Sequence, residues 1–205
     1  MIQKRQNRPR ATEKMWLEAA HALLLEAGVE GVKIMPLAQR LGLTRTGFYH
    51  HFRDREALLD AIIARWEDKN TGNLVARCNA YAETICEAAL NLQDCWINPD
   101  LFDASLDFAI RNWARTDPAL AERLDRADAR RKAAISGMFQ RFGYPEEEAE
   151  LRTLAILYTQ VGYIAMEVRE DPEERIAKIP AYVEIFTGRT PTAGEVQRFM
   201  NRNGY

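Results

Sequence analysis

The feature that most constrains the fold is a proline-centred punctuation that recurs four times from residue 98 onward. Each copy places a proline beside acidic or capping residues: Asn98-Pro99-Asp100, Thr116-Asp117-Pro118, Tyr144-Pro145-Glu146 and Asp171-Pro172-Glu173. Proline is tolerated in the first helical turn, where acidic side chains also interact favourably with the helix dipole. The punctuation predicts helices near 74–96, 100–115, 118–142, 146–170 and 173–187, with Gly143 and Gly188 at C-terminal ends.

Helical periodicity continues through the N-terminal quarter, and no segment alternates apolar and polar residues as a half-buried strand does. Caps and apolar runs there predict four helices, from Thr12 to Ala27 before Gly28, from about Ile34 to Leu41 before Gly42, from Thr44 through Phe52, and from Asp54 onward. The predicted fold class is all-α. We expect a three-helix head at residues 1–55, a connecting fourth helix at about 55–72, and a helical body at 73–205.

Charge is distributed unevenly along the chain. Residues 1–55 contain ten lysines or arginines and five acids, a net charge of +5, whereas the remainder carries −7. A basic head on an acidic body suggests that the head meets a polyanion, although small domains also reach such an excess by chance. The N-terminal tail is also basic, with Lys4, Arg5, Arg8 and Arg10. It has two interpretations: it contacts a DNA groove or phosphates, or it is a solvated tail.

Composition argues against several classes of protein. Apolar residues at 47% and charged residues at 28% are typical of a globular chain. The most apolar run, Leu151–Val168, is interrupted by charged and polar side chains, so no membrane span is expected. The three cysteines have no CxxC spacing, which argues against a disulfide framework or a zinc knuckle. The first residues lack the apolar run of a signal peptide, and we expect a cytoplasmic protein.

Residues 36–51 have the pattern of a helix-turn-helix: a short helix, a tight turn containing glycine, and a second short helix. In this motif the second helix enters the major groove of double-stranded DNA and presents its N-terminal side chains to base edges. Arg45 is suited to a bidentate contact with guanine, and Thr46 offers a hydroxyl and a methyl group. Gly47, without a side chain, permits a close approach of the backbone.

Other side chains around this second helix are suited to phosphate oxygens, which position a protein on DNA without reading its sequence. Thr44 is predicted to cap the helix through its hydroxyl. The predicted phosphate contacts are Tyr49, His50, Arg53 and Arg55.

The segment IMPLAQRLGLTRTGFYHHFRDREALLDAII, residues 34–63, resembles the DNA-binding signature of the tetracycline-repressor (TetR) family of bacterial regulators. The resemblance spans roughly residues 12–63. It implies a homodimeric transcriptional regulator, a repressor whose heads bind a near-palindromic operator and whose helical body binds a small-molecule effector. Two positions depart from the family pattern. Lys33 stands where a capping Ser or Thr is usual, a cap worth about 1 kcal/mol, and Arg55 replaces a common lysine. Lys33 is still a predicted phosphate contact.

The adjacent histidines His50 and His51 have competing interpretations. Chelation on a helix uses residues four apart, whereas neighbours point about 100° apart. A catalytic histidine needs a nucleophile and an orienting acid, and the sequence assembles neither. We therefore predict no metal, no cofactor and no enzyme activity. The role of His51 stays open between packing in the head and contact with a phosphate. The alternative from another class is a helical adaptor whose head no longer recognises DNA.

The body has two predicted functional surfaces. The helices near 146–170 and 173–187 are apolar on most sides, which predicts a homodimer interface; the alternative is a monomer with a buried central helix. The aromatic density of residues 78–113 predicts an effector pocket, although aromatics at helical spacing are also common in ordinary cores. An apolar or amphipathic effector is preferred, but its identity is unknown. The predicted ligand-binding residues are Tyr81, Trp96, Phe108, Arg111, Trp113, Tyr158 and Met166.

Overall fold

The computed structural model describes residues 12–205, which form α-helices and one π-helical segment with no strand among them. The predicted all-α fold class is confirmed. The helices are α1 Glu13–Gly31, α2 Ile34–Leu41, α3 Arg45–Tyr49, α4 Arg55–Trp66, α5 Asn73–Cys78, α6 Ile85–Ile97, α7 Ala104–Ala114, α8 Pro118–Arg141, α9 Glu146–Ala165, α10 Pro172–Thr187 and α11 Ala193–Arg202, with the π-helical segment Glu67–Gly72 before α5.

The chain divides into two compact units, one up to Arg65 and the other from Trp66 to Tyr205. We call these units the head and the body. The sequence placed the end of the head at residue 55 and treated the fourth helix as a connection. In the structure nearly all of α4 belongs to the head, and the boundary lies at its end.

Local signals position the helices of the head. The Thr12 hydroxyl accepts a hydrogen bond from the Met15 amide at 3.3 Å and so caps α1. Gly28, predicted to end that helix, instead kinks it, because its φ of 68° is a conformation that residues with a side chain rarely adopt. Gly42 ends α2 in the left-handed conformation, with the Leu43 amide donating to Ala38 O at 2.9 Å.

Aromatic packing fixes α3 to the rest of the head. Trp16 and Phe48 are fully buried, and their rings meet edge to face with centroids 5.4 Å apart. Phe52 stacks against Phe48 from beyond the end of α3, at 5.6 Å. Buried aromatic pairs of this kind stabilise a small core beyond their area alone. The five-residue helix α3, too short to persist by itself, is therefore held in place by its neighbours.

The core of the body surrounds α6. Ten of its thirteen residues are buried, the burial expected of a central helix. It contacts α5, α8, α10 and α11. Buried apolar residues on these helices complete the core, among them Leu74, Ile135, Phe139, Val183 and Phe199.

Two capping sequences change the helix boundaries that the periodicity predicted. The single helix expected near 74–96 is two helices, because Thr84 caps α6 by accepting from the Glu87 amide at 3.1 Å. The C-terminal helix α11, which was not predicted, begins with a full capping box formed by Thr192 and Glu195. Both starts have the T-x-x-E spacing that marks a helix N-terminus. The Thr84 hydroxyl also donates to the Glu195 carboxylate and links the two caps.

The remaining helices of the body follow the prediction with shifted ends. Helix α7 starts at Ala104 rather than near residue 100, because the Asp103 side chain caps it. Helix α9 stops at Ala165 rather than near 170, just before Glu167 with its positive φ of 50°. No helix within residues 12–205 is both long and apolar enough to cross a membrane.

A buried polar cluster around Asp107 joins three elements of the body. The Asp107 carboxylate accepts hydrogen bonds from Trp66 Nε1 at 2.8 Å, from Arg131 Nη2 at 3.0 Å and from Arg111 Nε at 2.8 Å. Asp107 and Arg131 are only 1% and 2% exposed. Burial by itself would raise the pKa of Asp107, but the charges of Arg131 and Arg111 outweigh it, and the pKa lies below its ordinary value.

The π-helical segment is attached to the same cluster. Its residues Asn70 and Thr71 are fully buried. Asn70 exchanges two hydrogen bonds with the backbone of Asp103, at 2.9 and 3.0 Å, and the Thr71 hydroxyl accepts from Arg131 Nε at 2.9 Å. Wide turns of this kind are uncommon and are often found at functional positions.

Candidate nucleic-acid interface

The N-terminal edge of α3 is the exposed, cationic part of the helix-turn-helix. The Thr44 hydroxyl accepts from the Gly47 amide at 3.2 Å, which is the predicted cap. Arg45 and Thr46 follow it, both exposed. Arg45 donates from Nε and Nη2 to Tyr49 Oη at 3.3 and 3.0 Å, and its guanidinium lies 5.6 Å from that ring. The side chain that was predicted to read a base is thus held along the outer face of α3.

Gly47 is not required by the packing of the head. A Cβ atom built on it would lie 3.6 Å from Thr44 Oγ1 and 4.0 Å from Trp16 Cζ2, both ordinary van der Waals distances. Glycine inside a helix is less favourable than alanine by roughly 0.5–1 kcal/mol. The head therefore tolerates a side chain here, and the missing Cβ keeps the surface of α3 open to an approaching backbone.

Four of the predicted phosphate contacts lie on the surface of the head. Lys33 is exposed at the N-cap of α2 and makes no capping hydrogen bond with its side chain, as the sequence predicted. Tyr49 and His50 are exposed at the end of α3. Arg53 has a side chain 85% exposed, with its Nε 2.8 Å from Asp54 Oδ2. These positions leave all four accessible to a phosphate backbone.

Arg55 has a different environment from the other predicted contacts. Its Nε donates to Val32 O at 2.6 Å and its Nη2 to Val29 O at 2.7 Å, both at the C-terminal end of α1. Its Nη1 donates to Glu56 Oε1 at 2.9 Å. The sequence indicated only a surface cation, and nothing near position 55 identifies these carbonyl partners. Its phosphate contact stays a prediction, and the structure adds a role inside the head.

The histidines and the basic tail complete the predicted interface. His51 is partly buried, and its backbone amide donates to Phe48 O at 2.9 Å. In the part of the chain that the structure describes, no three His, Cys, Asp or Glu side chains converge as a metal site would require. The basic tail, with Lys4, Arg5, Arg8 and Arg10, lies outside the described residues.

The residues predicted to bind an effector do not converge on one place in the body. Trp96 lies in the wall of a cavity between α6, α9 and α10. Tyr81, Tyr158 and Met166 have exposed side chains, whereas Phe108 and Trp113 are partly buried on α7. Arg111 is held by Asp107 and by both oxygens of Asp128, at 2.7 and 2.8 Å. Their ligand contacts stay predictions, and among them only Trp96 lines that cavity.

Comparison with known proteins supports the interpretation of the head. Residues 17–62 match the model of the family described as bacterial regulatory proteins, TetR family. The head of this chain is similar to the DNA-binding part of that family. The matched residues include α2, α3 and the exposed edge of α3, so the similarity rests on the helix-turn-helix. The resemblance seen in the sequence is confirmed.

Tetracycline repressor proteins are similar to this chain over less than a third of its length. The chain is 40% identical over 63 residues to the class A tetracycline repressor protein of transposon 1721 from Escherichia coli, covering 31% of this chain and 29% of that protein. It is 41% identical over 56 residues to the class D repressor of Escherichia coli, covering 25% and 26%. The match thus spans less than a third of these relatives.

Solved structures resemble most of the chain, including the body. A transcriptional regulator from Aquifex aeolicus VF5 has a TM-score of 0.68 at 16% identity, covering 85% of this chain and 99% of the other. Mycobacterium smegmatis AmtR has a TM-score of 0.65 at 18% identity, covering 98% of both chains. At these identities the structures establish the shared fold alone.

Proposed function

We propose that the protein is a DNA-binding transcriptional regulator, a repressor that acts as a homodimer on a near-palindromic operator and is released by a small-molecule effector. The observation that carries the proposal is the exposed edge of α3, where Arg45 and Thr46 follow a capped N-terminus. The TetR-family match over this segment supports it. We assign the protein no catalytic activity and place it in the cytoplasm, where it would have access to DNA.

In this proposal the side chains of α3 divide into two groups. Arg45 and Thr46 contact base edges in the major groove, and the absence of a Cβ at Gly47 lets the helix approach the DNA closely. Lys33, Tyr49, His50 and Arg53 contact phosphates and fix the orientation of the head. Arg45 would exchange its contact with Tyr49 for a contact with guanine, which gives the free protein a preformed position for that side chain.

A homodimer is supported by an apolar surface on α9 and α10. Leu151 and Tyr158 are exposed on α9, and Ile185 is exposed on α10. Ala155 lies between Leu151 and Tyr158 in the sequence, and Gly162 follows Tyr158 by four residues. Both small residues lie on the same face of α9 as Tyr158 and permit a close helix crossing. Exposed apolar residues grouped in this way mark interaction surfaces, and a twofold contact between copies pairs the same patch on each.

Release is proposed to follow from a shift between two populations of the dimer. An effector that binds more tightly to the state with low DNA affinity moves the equilibrium toward that state, by no more than its difference in affinity.

The DNA contacts are tested by selecting bound duplexes from a random-sequence library and titrating the selected duplex. Arg45→Ala should weaken binding by about 1–3 kcal/mol, roughly 5-fold to 150-fold, and relax preference at one base pair. The matched control is Arg126→Ala, since Arg126 is an exposed arginine of the body. Unchanged affinity and sequence preference in Arg45→Ala would disprove its assignment as a base contact.

A salt titration separates the regulator from the adaptor alternative. Phosphate contacts release counterions, so affinity should fall steeply with salt, and Arg53→Ala should lower the logarithmic slope by about 1. If the protein selects no duplex and shows no salt-dependent affinity for DNA, it is instead an adaptor with an inactive head.

Dimerisation is tested by light scattering after size-exclusion chromatography. Tyr158→Glu places a charge within the proposed interface and should produce monomers. Tyr81→Glu is the matched control, because Tyr81 is 84% exposed and Tyr158 64% exposed, but only Tyr158 lies on α9. Monomers in the unmodified protein, or a dimer that survives Tyr158→Glu, would contradict the proposed interface.

A further inference from the structure

A cavity in the body lies between α6, α9 and α10 and opens to solvent. The space inside it that admits the centre of a water-sized sphere is about 50 Å³. Its buried inner wall includes Ile156, Ile179 and Phe186. Tyr182, which stacks on Phe186 with centroids 5.8 Å apart, is exposed at the mouth. Together with Trp96 these side chains give the cavity an aromatic and apolar lining, which suits a ligand with an aromatic ring.

Several polar groups in the cavity wall form no hydrogen bond with any described residue, among them the buried Trp96 Nε1 and the amide of Gln93. Gln93 is 8% exposed and lines the cavity, and its amide forms no hydrogen bond with any described residue. A polar side chain in a mostly buried residue usually has a hydrogen-bond partner. The amide therefore offers a donor and an acceptor to a ligand that reaches the inner part of the cavity.

A cation lies elsewhere in the cavity wall. The guanidinium of Arg175 is 4.7 Å from the centre of the Tyr163 ring, and it forms no hydrogen bond within residues 12–205. Its donors are thus available to an acceptor in the cavity. A guanidinium binds a carboxylate in a bidentate manner, with better geometry than a point charge provides.

The acidic residue in the wall does not cancel this preference. Glu170 accepts hydrogen bonds from Tyr163 Oη at 3.0 Å and from Lys178 Nζ at 2.5 Å. Lys178, which does not line the cavity, compensates the charge of Glu170, so the charge of Arg175 remains available to a ligand. A cationic aromatic ligand is disfavoured because Arg175 already occupies one face of Tyr163 and Lys178 already neutralises Glu170.

We propose that this cavity binds a small aromatic carboxylic acid with a hydrogen-bonding substituent on its ring. The carboxylate is bound by Arg175, the ring lies between Trp96 and the Tyr182–Phe186 pair, and the substituent bonds to the amide of Gln93. That the bound acid acts as the effector rests on the proposed function, in which a small molecule releases the protein from DNA. Occupancy of the cavity by ligand is independent of DNA and is measured without it.

The test measures binding of para-hydroxybenzoate to the full-length protein by calorimetry, with quenching of tryptophan fluorescence as a second signal. Arg175→Gln should weaken binding of this acid about 10-fold to 100-fold, as expected for the loss of a charge-assisted hydrogen bond. Binding of the neutral analogue para-hydroxybenzamide should change less than about 2-fold, and Arg175→Lys should recover part of the affinity. These paired ligands separate a lost charge contact from a damaged fold.

A second pair of ligands tests the proposed contact with Gln93. Gln93→Leu should weaken para-hydroxybenzoate about 5-fold to 10-fold and leave benzoate unchanged, because only the former has the group that the amide would bind. The proposal is overturned if neither acid binds, if both substitutions leave the affinities unaltered, or if benzyltrimethylammonium binds in place of the acids. Binding of the acid that leaves DNA affinity unchanged would establish the site and reject its role as the effector site. Failure of DNA selection would overturn only the proposed function.

Discussion

The head and the body both depend on arginine, but they hold it in opposite surroundings. In the head, Arg45 and Arg53 lie on the surface, where Arg45 donates to Tyr49 of its own helix and Arg53 lies beside the adjacent Asp54. In the body, Arg131 and Arg111 are inserted into a cluster with Asp107, and the bond from Arg131 to Asp107, at 3.0 Å, joins α8 to α7. The same side chain is thus accessible to an external polyanion in one unit and inaccessible in the other.

The difference shows why a count of charges does not locate function. Exposed ion pairs contribute about 0.2–1 kcal/mol, so a surface arginine can leave its partner for DNA at little cost. Removing one partner of a buried pair costs about 3–5 kcal/mol, because the remaining charge is left without compensation. Arg55 is intermediate: it belongs to the head, yet it is tied to the carbonyls of α1.

The largest effect is expected for Asp107→Ala in the body. It leaves the buried Arg131 with only the more distant carboxylate of Asp128, 3.5 Å away, and we expect a loss of about 3–5 kcal/mol in the free energy of unfolding. The measurement is urea unfolding followed by circular dichroism. The control is Glu122→Ala, which removes an exposed partner 3.9 Å from Arg126 and should cost about 1 kcal/mol or less. Equal losses in the two variants would contradict the contrast between buried and exposed pairs.

The pairing of Asp107 with Arg131 should also make the free energy of unfolding depend on pH. The pKa of Asp107 is lower in the folded protein than in the unfolded chain, where it is about 3.9. Its contribution is therefore present above pH 4 and is lost as the pH falls through the folded pKa. Unfolding curves below pH 4 should lose a stabilisation that Asp107→Asn lacks at every pH. A constant difference between the two proteins throughout this range would contradict the assignment.

A smaller effect is expected when Arg55 and Arg53 are compared. Arg55→Ala removes charge-assisted hydrogen bonds to two carbonyls and should destabilise the head by about 1.5–3 kcal/mol. Arg53→Ala makes the same change in charge and should cost no more than about 1 kcal/mol, because its ion pair is exposed. A head that tolerates both substitutions equally would show that the α1 contacts of Arg55 contribute nothing.

Cysteine labelling assigns that loss to the head. The thiols Cys78 and Cys95 lie in the body, where burial raises the pKa of each to about 12. They should remain unreactive toward alkylating reagents when only the head of Arg55→Ala unfolds. Rapid labelling of both thiols would place the damage in the body.

The cap of α3 provides a smaller test within the head. Thr44→Ala removes the acceptor of the Gly47 amide and should cost about 1 kcal/mol of stability. Thr46→Ala, a matched change two residues later, should leave stability within about 0.5 kcal/mol and weaken DNA binding. Thermal unfolding and the DNA titration together distinguish the two, and a loss of stability in Thr46→Ala would contradict its assignment.

The smallest change in stability is expected for Gly47→Ala, with the opposite sign. The added methyl group meets only ordinary contacts, so the head should gain up to about 1 kcal/mol. Binding to the selected duplex should weaken, because the methyl group occupies space that the DNA backbone would approach. A variant that is more stable and binds as before would remove Gly47 from the interface.

The sequence predicted the head more accurately than the body for a physical reason. The cap at Thr44, the left-handed turn at Gly42 and the missing cap at Lys33 are properties of a few neighbouring residues, and local pattern suffices for them. The break before Thr84 was also local, and the T-x-x-E spacing would have identified it.

The environment of the body's charges depends on distant parts of the chain. Arg111 was predicted to face an effector, and its spacing from Asp107 was visible as four residues. The other members of the cluster, Arg131 and Trp66, come from 24 and 41 residues away from Asp107. Gln93 was likewise unremarkable in the sequence, since only the packing of three helices gives its amide a cavity and no partner.

The π-helical segment has a consequence for the length of the chain. Trp66, Asn70, Leu74 and Cys78 are all buried, at intervals of four residues. In an α-helix, with about 100° per residue, four residues overshoot a full turn by about 40°, so such a row would wind away from the core. The wider turn at Glu67–Gly72 reduces this rotation. The segment therefore accommodates one residue more than a regular helix requires. Deleting one residue there would space the buried row at intervals of three and four residues, which an ordinary α-helix keeps on one face.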